Sequence, residues 1–194
     1  KLNIMGLDIT AVSEIRPIDL PEGMEKWTDE YYDWESSKGY SLWSVYQMGQ
    51  FPRHGEGLPD SESVDADGES YSFRAGSYSG YGEWRNDLAL AAGYEGGSEG
   101  VWAKSDEGIT GGPFEELINF PDNEGVIGPV ISQKLYNDFV NYEKEIDKAI
   151  DWWYLKMNPE KEYNTEDVQW FKEKYNDWKH AFDIARKNGM VIFH

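Results

Sequence analysis

Two aromatic-striped segments constrain the fold of this chain more than any other feature. Leu135, Phe139, Tyr142, Ile146, Ile150 and Trp153 recur at three- and four-residue intervals, which puts them on one face of an α-helix. Gly128-Pro129 precedes the run, with proline suited to a first turn, and Asn158-Pro159 ends it. Val168, Phe171, Tyr175, Trp178 and Phe182 form a second stripe. Asn164-Thr165 can cap that helix, Glu166 and Asp167 occupy its first turn, and Gly189 closes it. Faces this apolar must be covered. The two helices are expected to form an antiparallel hairpin over 129–189, laid on a sheet. Their aromatics read as core rather than as a cofactor box.

Short β patterns supply the sheet. Asn3–Val12 reads as a strand through Leu7, Ile9 and Val12, with Asp8 a surface or edge carboxylate. Tyr40–Tyr46 alternates and is rich in β-formers, Ser70–Arg74 reads as a short strand, and Met190–Phe193 as a final one. Trp27, Tyr31 and Trp34 predict a short helix within Met24–Ser37, which also reads as an acidic, aromatic binding surface. Tyr81, Trp84, Leu88 and Ala91/Ala92 predict a helix over 81–92 that stops at Gly93. Gly49–Gly68 and Gly93–Gly112 read as loops, the first acidic over 49–69, and 121–125 as a turn. The expectation is one α+β domain over 1–194, with a small, mainly antiparallel sheet and a C-terminal antiparallel helical hairpin.

Charge narrows the partners. The chain has 194 residues, 18 Lys+Arg against 37 Asp+Glu, and a formal net charge of −19. Residues 1–70 hold 15 acids and 5 bases, 71–128 hold 10 and 3, and 129–194 hold 12 and 10. Such a surface repels nucleic-acid phosphates, so no direct nucleic-acid partner is expected; it attracts basic proteins. Aromatics at 15% argue against disorder. With no cysteine there is no disulfide framework or thiolate metal site, which fits a cytoplasmic protein. No apolar run reaches the ~18 residues of a membrane span, and no secretory signal is expected. Met5 reads as a start, with Lys1–Ile4 as upstream sequence.

The chemistry-bearing stretch is Phe73–Arg85, with three glycines, two serines, four aromatics and two arginines in thirteen residues. Arg74 and Arg85 are the only arginines between 71 and 128. Two guanidinium groups beside Ser77, Ser79 and the N–H groups of a helix start would hold an anion. Tyr78, Tyr81 or Trp84 could stack on a base or sugar. The stretch matches neither a Walker loop nor a dinucleotide fingerprint, and Tyr78 occupies the place of a nucleophile. An equally open reading pairs both arginines with local acids. Asn119, Asp122, Asn123 and Glu124 form a second constellation, as ligand contacts, hard-cation ligands or only a turn. His194, after apolar Val191-Ile192-Phe193, can face the same site. No catalytic triad assembles. Asp65–Glu69 lacks the ligand set of a calcium loop, and no metal or cofactor is expected.

The start Met5-Gly6-Leu7-Asp8-Ile9-Thr10-Ala11 resembles a family of uncharacterised proteins from phages, prophages and bacteria. Phe73–Arg85, Gly112–Gly128 and Val191–His194 are similar to that family as well. The resemblance brings no assigned activity. It implies a bacterial host cytoplasm and raises the expectation of a counter-defence role.

The reading that follows is a non-catalytic binding protein that captures a small anionic, nucleotide-derived ligand, as a phage counter-defence sponge would. Two alternatives stay open. One is an acidic, nucleic-acid-mimicking inhibitor of a basic host defence protein. The other is a metal-dependent hydrolase of a nucleotide-like substrate using Asp122, Glu124 and His194. Aromatic content beyond what one small core needs also leaves open a homo-oligomer.

Overall fold

The computed structural model describes residues 6–37, 39–42, 53–61, 63–104, 110–120, 124–157 and 165–194. Its centre is a four-stranded antiparallel sheet in the order β5-β1-β7-β6, built from β1 (Gly6–Val12), β5 (Ser70–Ser77), β6 (Gly125–Ile127) and β7 (Met190–Phe193). A smaller sheet, β2-β4-β3, joins β2 (Ile15–Pro17), β3 (Tyr40–Ser41) and β4 (Ser63–Ala66). The helices are α1 (Asp29–Ser37), α2 (Tyr78–Ala91), α3 (Gly97–Lys104), α4 (Glu115–Ile118), α5 (Pro129–Asn141), α6 (Glu143–Met157) and α7 (Thr165–Ala185). The α+β class, the antiparallel sheet and the helical hairpin are as expected. Among the described residues no helix is long and apolar enough to cross a membrane.

Alternation along β1 sends Leu7, Ile9 and Ala11 to one face, where they meet Trp84, Leu88, Phe139, Trp178 and Phe182 in the main core. Trp178 sits at the middle of that core. Its ring centroid lies 5.2 Å from Phe73, 5.8 Å from Tyr81, 6.0 Å from Trp84, 5.7 Å from Phe182 and 5.5 Å from Phe193. On the opposite face Val12, Val126, Met190 and Ile192 pack with Ile15, Leu42 and Val64 beneath the small sheet. That second core covers only one end of the large sheet.

The hairpin is antiparallel: Arg186 reaches Gln133, Lys179 pairs with Glu143, and Lys172 lies by Asp147 and Asp151. Its first arm departs from the expected single helix. α5 ends at Tyr142, whose φ is −101°, and α6 restarts at Glu143. Phe139 and Ile146 on either side of the break are buried, whereas Tyr142 at the break is 39% exposed, so the expected stripe is interrupted there. Asn158-Pro159 and Asn164 lie outside the described residues.

Other elements correct the sequence expectations. The strand expected over 70–74 continues to Ser77, with Gly76 paired to Leu7 across a bulge. The helix expected from Tyr81 starts at Tyr78, capped by Ser77. Two expected loops contain regular structure: β4 in Gly49–Gly68 and α3 in Gly93–Gly112. β6 had no sequence signal, because three buried residues are too few to show a period. Of the strand expected over 40–46, Tyr40–Ser41 is observed; residues 43–46 lie outside the described residues.

Candidate functional site

The part of the large sheet left open by the small one carries a polar surface. Arg74 on β5 pairs across the ladder with Asp8 on β1. Their side chains meet at 3.0 Å and are about half exposed, 47% and 55%. On the other side of β1, Asp8 and His194 exchange backbone hydrogen bonds, His194 N to Asp8 O at 2.9 Å and Asp8 N to His194 O at 3.4 Å. β6 flanks β7 on its other side: Gly125 is opposite Phe193, and the exposed Glu124 immediately precedes it in the chain. Arg74, Asp8 and His194 thus form one transverse row, and Glu124 sits at the entry to β6 beyond it. A second row lies beneath it: Ser72 Oγ is 3.1 Å from Thr10 Oγ1, and His194 Nε2 is 3.1 Å from that same hydroxyl.

Local sequence makes room for this row. A β-carbon at Gly6 would overlap the Arg74 guanidinium and the Gly76 carbonyl. Glycine at position 6 therefore lets the guanidinium lie over the backbone of the neighbouring strand. Gly76, at φ +142°, lies at the bulge near the end of β5, and the Trp170 indole packs near it and Gly80. An exposed Arg–Asp pair is worth only ~0–1 kcal/mol. Such a pair holds Arg74 in place yet lets it exchange partners cheaply.

Some expected site residues do not join this surface. Arg85 lies in the helical layer, on the opposite side of the sheet from Arg74, so the two guanidinium groups do not converge on one anion. Tyr81 and Trp84 are buried at 0% and 1% exposure and stack on Trp178 rather than on a ligand. Their burial follows from the helix stripe that also identified the helix. Ser77 Oγ accepts the Gly80 N–H at 3.0 Å and lies 3.2 Å from Ser79 Oγ. The serines thus serve the start of α2 itself, a use of N-terminal donors that competes with an anion. Tyr78 remains at the surface, 36% exposed. Asn119 is buried at the end of α4, where its backbone N–H donates to Glu115 O. Asp122 and Asn123 lie outside the described residues. Among the described residues, no three His, Asp or Glu side chains are grouped to hold a metal ion.

A second polar centre escaped the sequence reading. Lys134 Nζ lies 2.5 Å from Glu116 Oε2 and 2.8 Å from Asp138 Oδ2, and it also donates to the Gly112 carbonyl. Asp138 Oδ2 accepts the Phe114 N–H at 2.8 Å, and Phe114 is in the left-handed region at φ 58°. Burial pushes the Asp138 pKa up, against the opposing pull of Lys134 and the Phe114 amide. Burial also pushes Glu115 upward, but hydrogen bonds from Thr110 and Gly112 outweigh it and leave its pKa lowered. His54 closes the cluster, its Nε2 2.8 Å from Glu116 O. The available signal was Asp138 beside Phe139, three residues after Leu135 and so on the buried stripe, with Lys134 one turn before it. Every partner in this centre is internal, which suits a structural clamp between α4 and α5.

Two clefts lie away from the transverse row. One, of about 160 Å³, is lined by Asp87, Leu90 and Ile150 between α2 and α6. The other, of about 210 Å³, is lined by Tyr31, Trp34, Asp19 and Asp60 beside α1. The transverse row is a surface rather than a cavity, and it unites a cation, a carboxylate, an imidazole and hydroxyls contributed by separate strands. No protein-family model, curated protein or solved structure matches this chain.

Proposed function

We propose that this protein binds a small anionic, nucleotide-derived ligand without transforming it, on the open sheet face around Arg74. The transverse row carries this reading. Arg74 can take an anionic group with two parallel hydrogen bonds. Asp8 and Glu124 offer acceptors for hydroxyl or amino donors. His194, Thr10 and Ser72 can donate or accept. A ligand combining one anionic group with several hydrogen-bond donors, as a nucleotide derivative does, matches that mixture better than a simple anion. The resemblance to phage proteins makes capture of a defence signal the natural context.

Calorimetry against a panel of nucleotides and cyclic nucleotides tests the reading. Arg74→Ala is expected to weaken binding about 10- to 100-fold, the loss of a charge-assisted contact worth ~1.5–3 kcal/mol. Unchanged affinity in that variant, or no binding across the panel, would sink it. Ligand recovered intact after denaturing the complex favours capture. Recovery as product would instead make Glu124 and His194 the acid–base pair of an enzyme.

A second reading draws on α1. Trp27 and Tyr32 are 55% and 50% exposed, with ring centroids 6.4 Å apart, and they stand among Asp29, Glu30 and Asp33. Exposed aromatics interleaved with acids suit a basic protein surface that otherwise holds nucleic acid.

A further inference from the structure

We infer that Arg85 is the centre of a second, concealed oxyanion site, in which a carboxylate or phosphate group binds the Nε–Nη2 edge of its guanidinium beside Trp102. This site is separate from the open sheet face and does not depend on the reading given to that face.

Arg85 is 5% exposed. Buried charges are normally paired, because removing an ion from water costs several kcal/mol. Among the described residues no carboxylate pairs with Arg85. Its Nη1 donates to Phe120 O at 2.6 Å, and the Tyr81 and Trp102 rings each lie 5.0 Å from Cζ. Nε is fully enclosed and has no hydrogen-bond partner. A guanidinium has five N–H donors in one plane. Aromatic rings are attracted to the cation, but they do not take the place of an in-plane oxygen acceptor. The Nε–Nη2 edge is therefore the part of Arg85 that the described protein groups leave unmatched. That edge presents two parallel N–H bonds, the spacing that fits two oxygens of a carboxylate or phosphate.

Among the described residues, the acids of α4 are committed elsewhere. Glu115 accepts from Thr110 and Gly112, and Glu116 holds Lys134. Trp102 is the partly exposed side chain over the guanidinium. It is 40% exposed and rides on the short helix α3, which begins at Gly97 (φ 61°) just after Gly96 (φ 79°). Its indole N–H donates to Ile118 O at 3.0 Å, and its ring lies against the guanidinium.

Thermal unfolding of the whole chain tests the site, with inorganic phosphate or acetate titrated at constant ionic strength. Wild type and Arg74→Ala are expected to gain about 5–10 °C in Tm at a hundredfold excess of the effective oxyanion over its Kd. A response to either oxyanion supports the site and identifies the group it prefers. Arg85→Met, which keeps most of the side-chain volume and removes the charge, is expected to lose the response. Its Tm without oxyanion is expected to equal or exceed that of wild type. If Arg85→Met does not fold, Arg85→Lys carries the test: it keeps the charge but loses the fork, and its response is expected to shrink. No stabilisation of wild type, equal stabilisation of the Arg85 variants, or loss of the response in Arg74→Ala would each overturn the proposal.

Discussion

Trp178→Ala is expected to destabilise the protein by about 3–5 kcal/mol, the range for emptying a buried large aromatic. For a chain of this size that lowers Tm by about 6–20 °C. The reason is its place in the core. Trp178 is fully buried and touches aromatic rings from β5, α2, α7 and β7, so the cavity would open where four elements meet. Trp178→Phe is expected to cost less than half as much. It removes less volume, and it also removes an indole N–H that is buried without a hydrogen-bond partner. Thermal melts followed by near-ultraviolet circular dichroism compare the two. Equal costs, or a loss below about 1 kcal/mol for alanine, would show that the sheet and helices do not depend on this ring.

Lys134→Met is expected to be comparably damaging, at about 3–5 kcal/mol, because it leaves two acids behind rather than an empty space. Glu116 and Asp138 side chains are only 2% and 12% exposed. Without the ammonium group they would face each other across a poorly solvated gap. The deficit has a definite pH dependence. Burial already raises the Asp138 pKa against the opposing pull of Lys134, and removing Lys134 takes that pull away. A folded pKa above the unfolded value means the protonated form favours the fold. The deficit is therefore greatest at neutral pH and shrinks as pH falls toward the unfolded carboxyl values near ~4. Chemical denaturation at neutral and mildly acidic pH reads this directly. Adding Glu116→Gln to Lys134→Met is expected to restore part of the loss at neutral pH. A deficit that grows on acidification would contradict the clamp.

Helical periodicity made the helices legible at a distance, and it revealed the core with them. The stripe Val168, Phe171, Tyr175 and Trp178 is α7, and those residues are buried. The same signal holds at Tyr81 and Trp84, which are buried, although their chemistry also suggests stacking on a ligand. A stripe can identify core or an exposed aromatic shelf, and only packing tells the two apart. Glycine content misled at Phe73–Arg85. It suggested a loop open to ligands, whereas β5 runs through Gly76 and Ser77 caps the helix that follows. Lys134, Glu116 and Asp138 stayed hidden because charged residues on a helix usually face water. Their burial depends on what α4 brings against α5.

The sequence alone determined the class of the fold, the helical hairpin, the return of Met190–Phe193 as a strand and the acidity of the surface. These follow from composition and from residues three, four or two positions apart, whose interactions are local. The tertiary structure alone decided which chemistry-bearing residues meet. Arg74, Asp8 and His194 come from the middle and opposite ends of the chain, and strand order and register place them in one row. Arg85, eleven residues from Arg74, lies on the other side of the sheet. Pairing between distant strands depends on the balance of the whole core, and neither residue spacing nor charge encodes it locally.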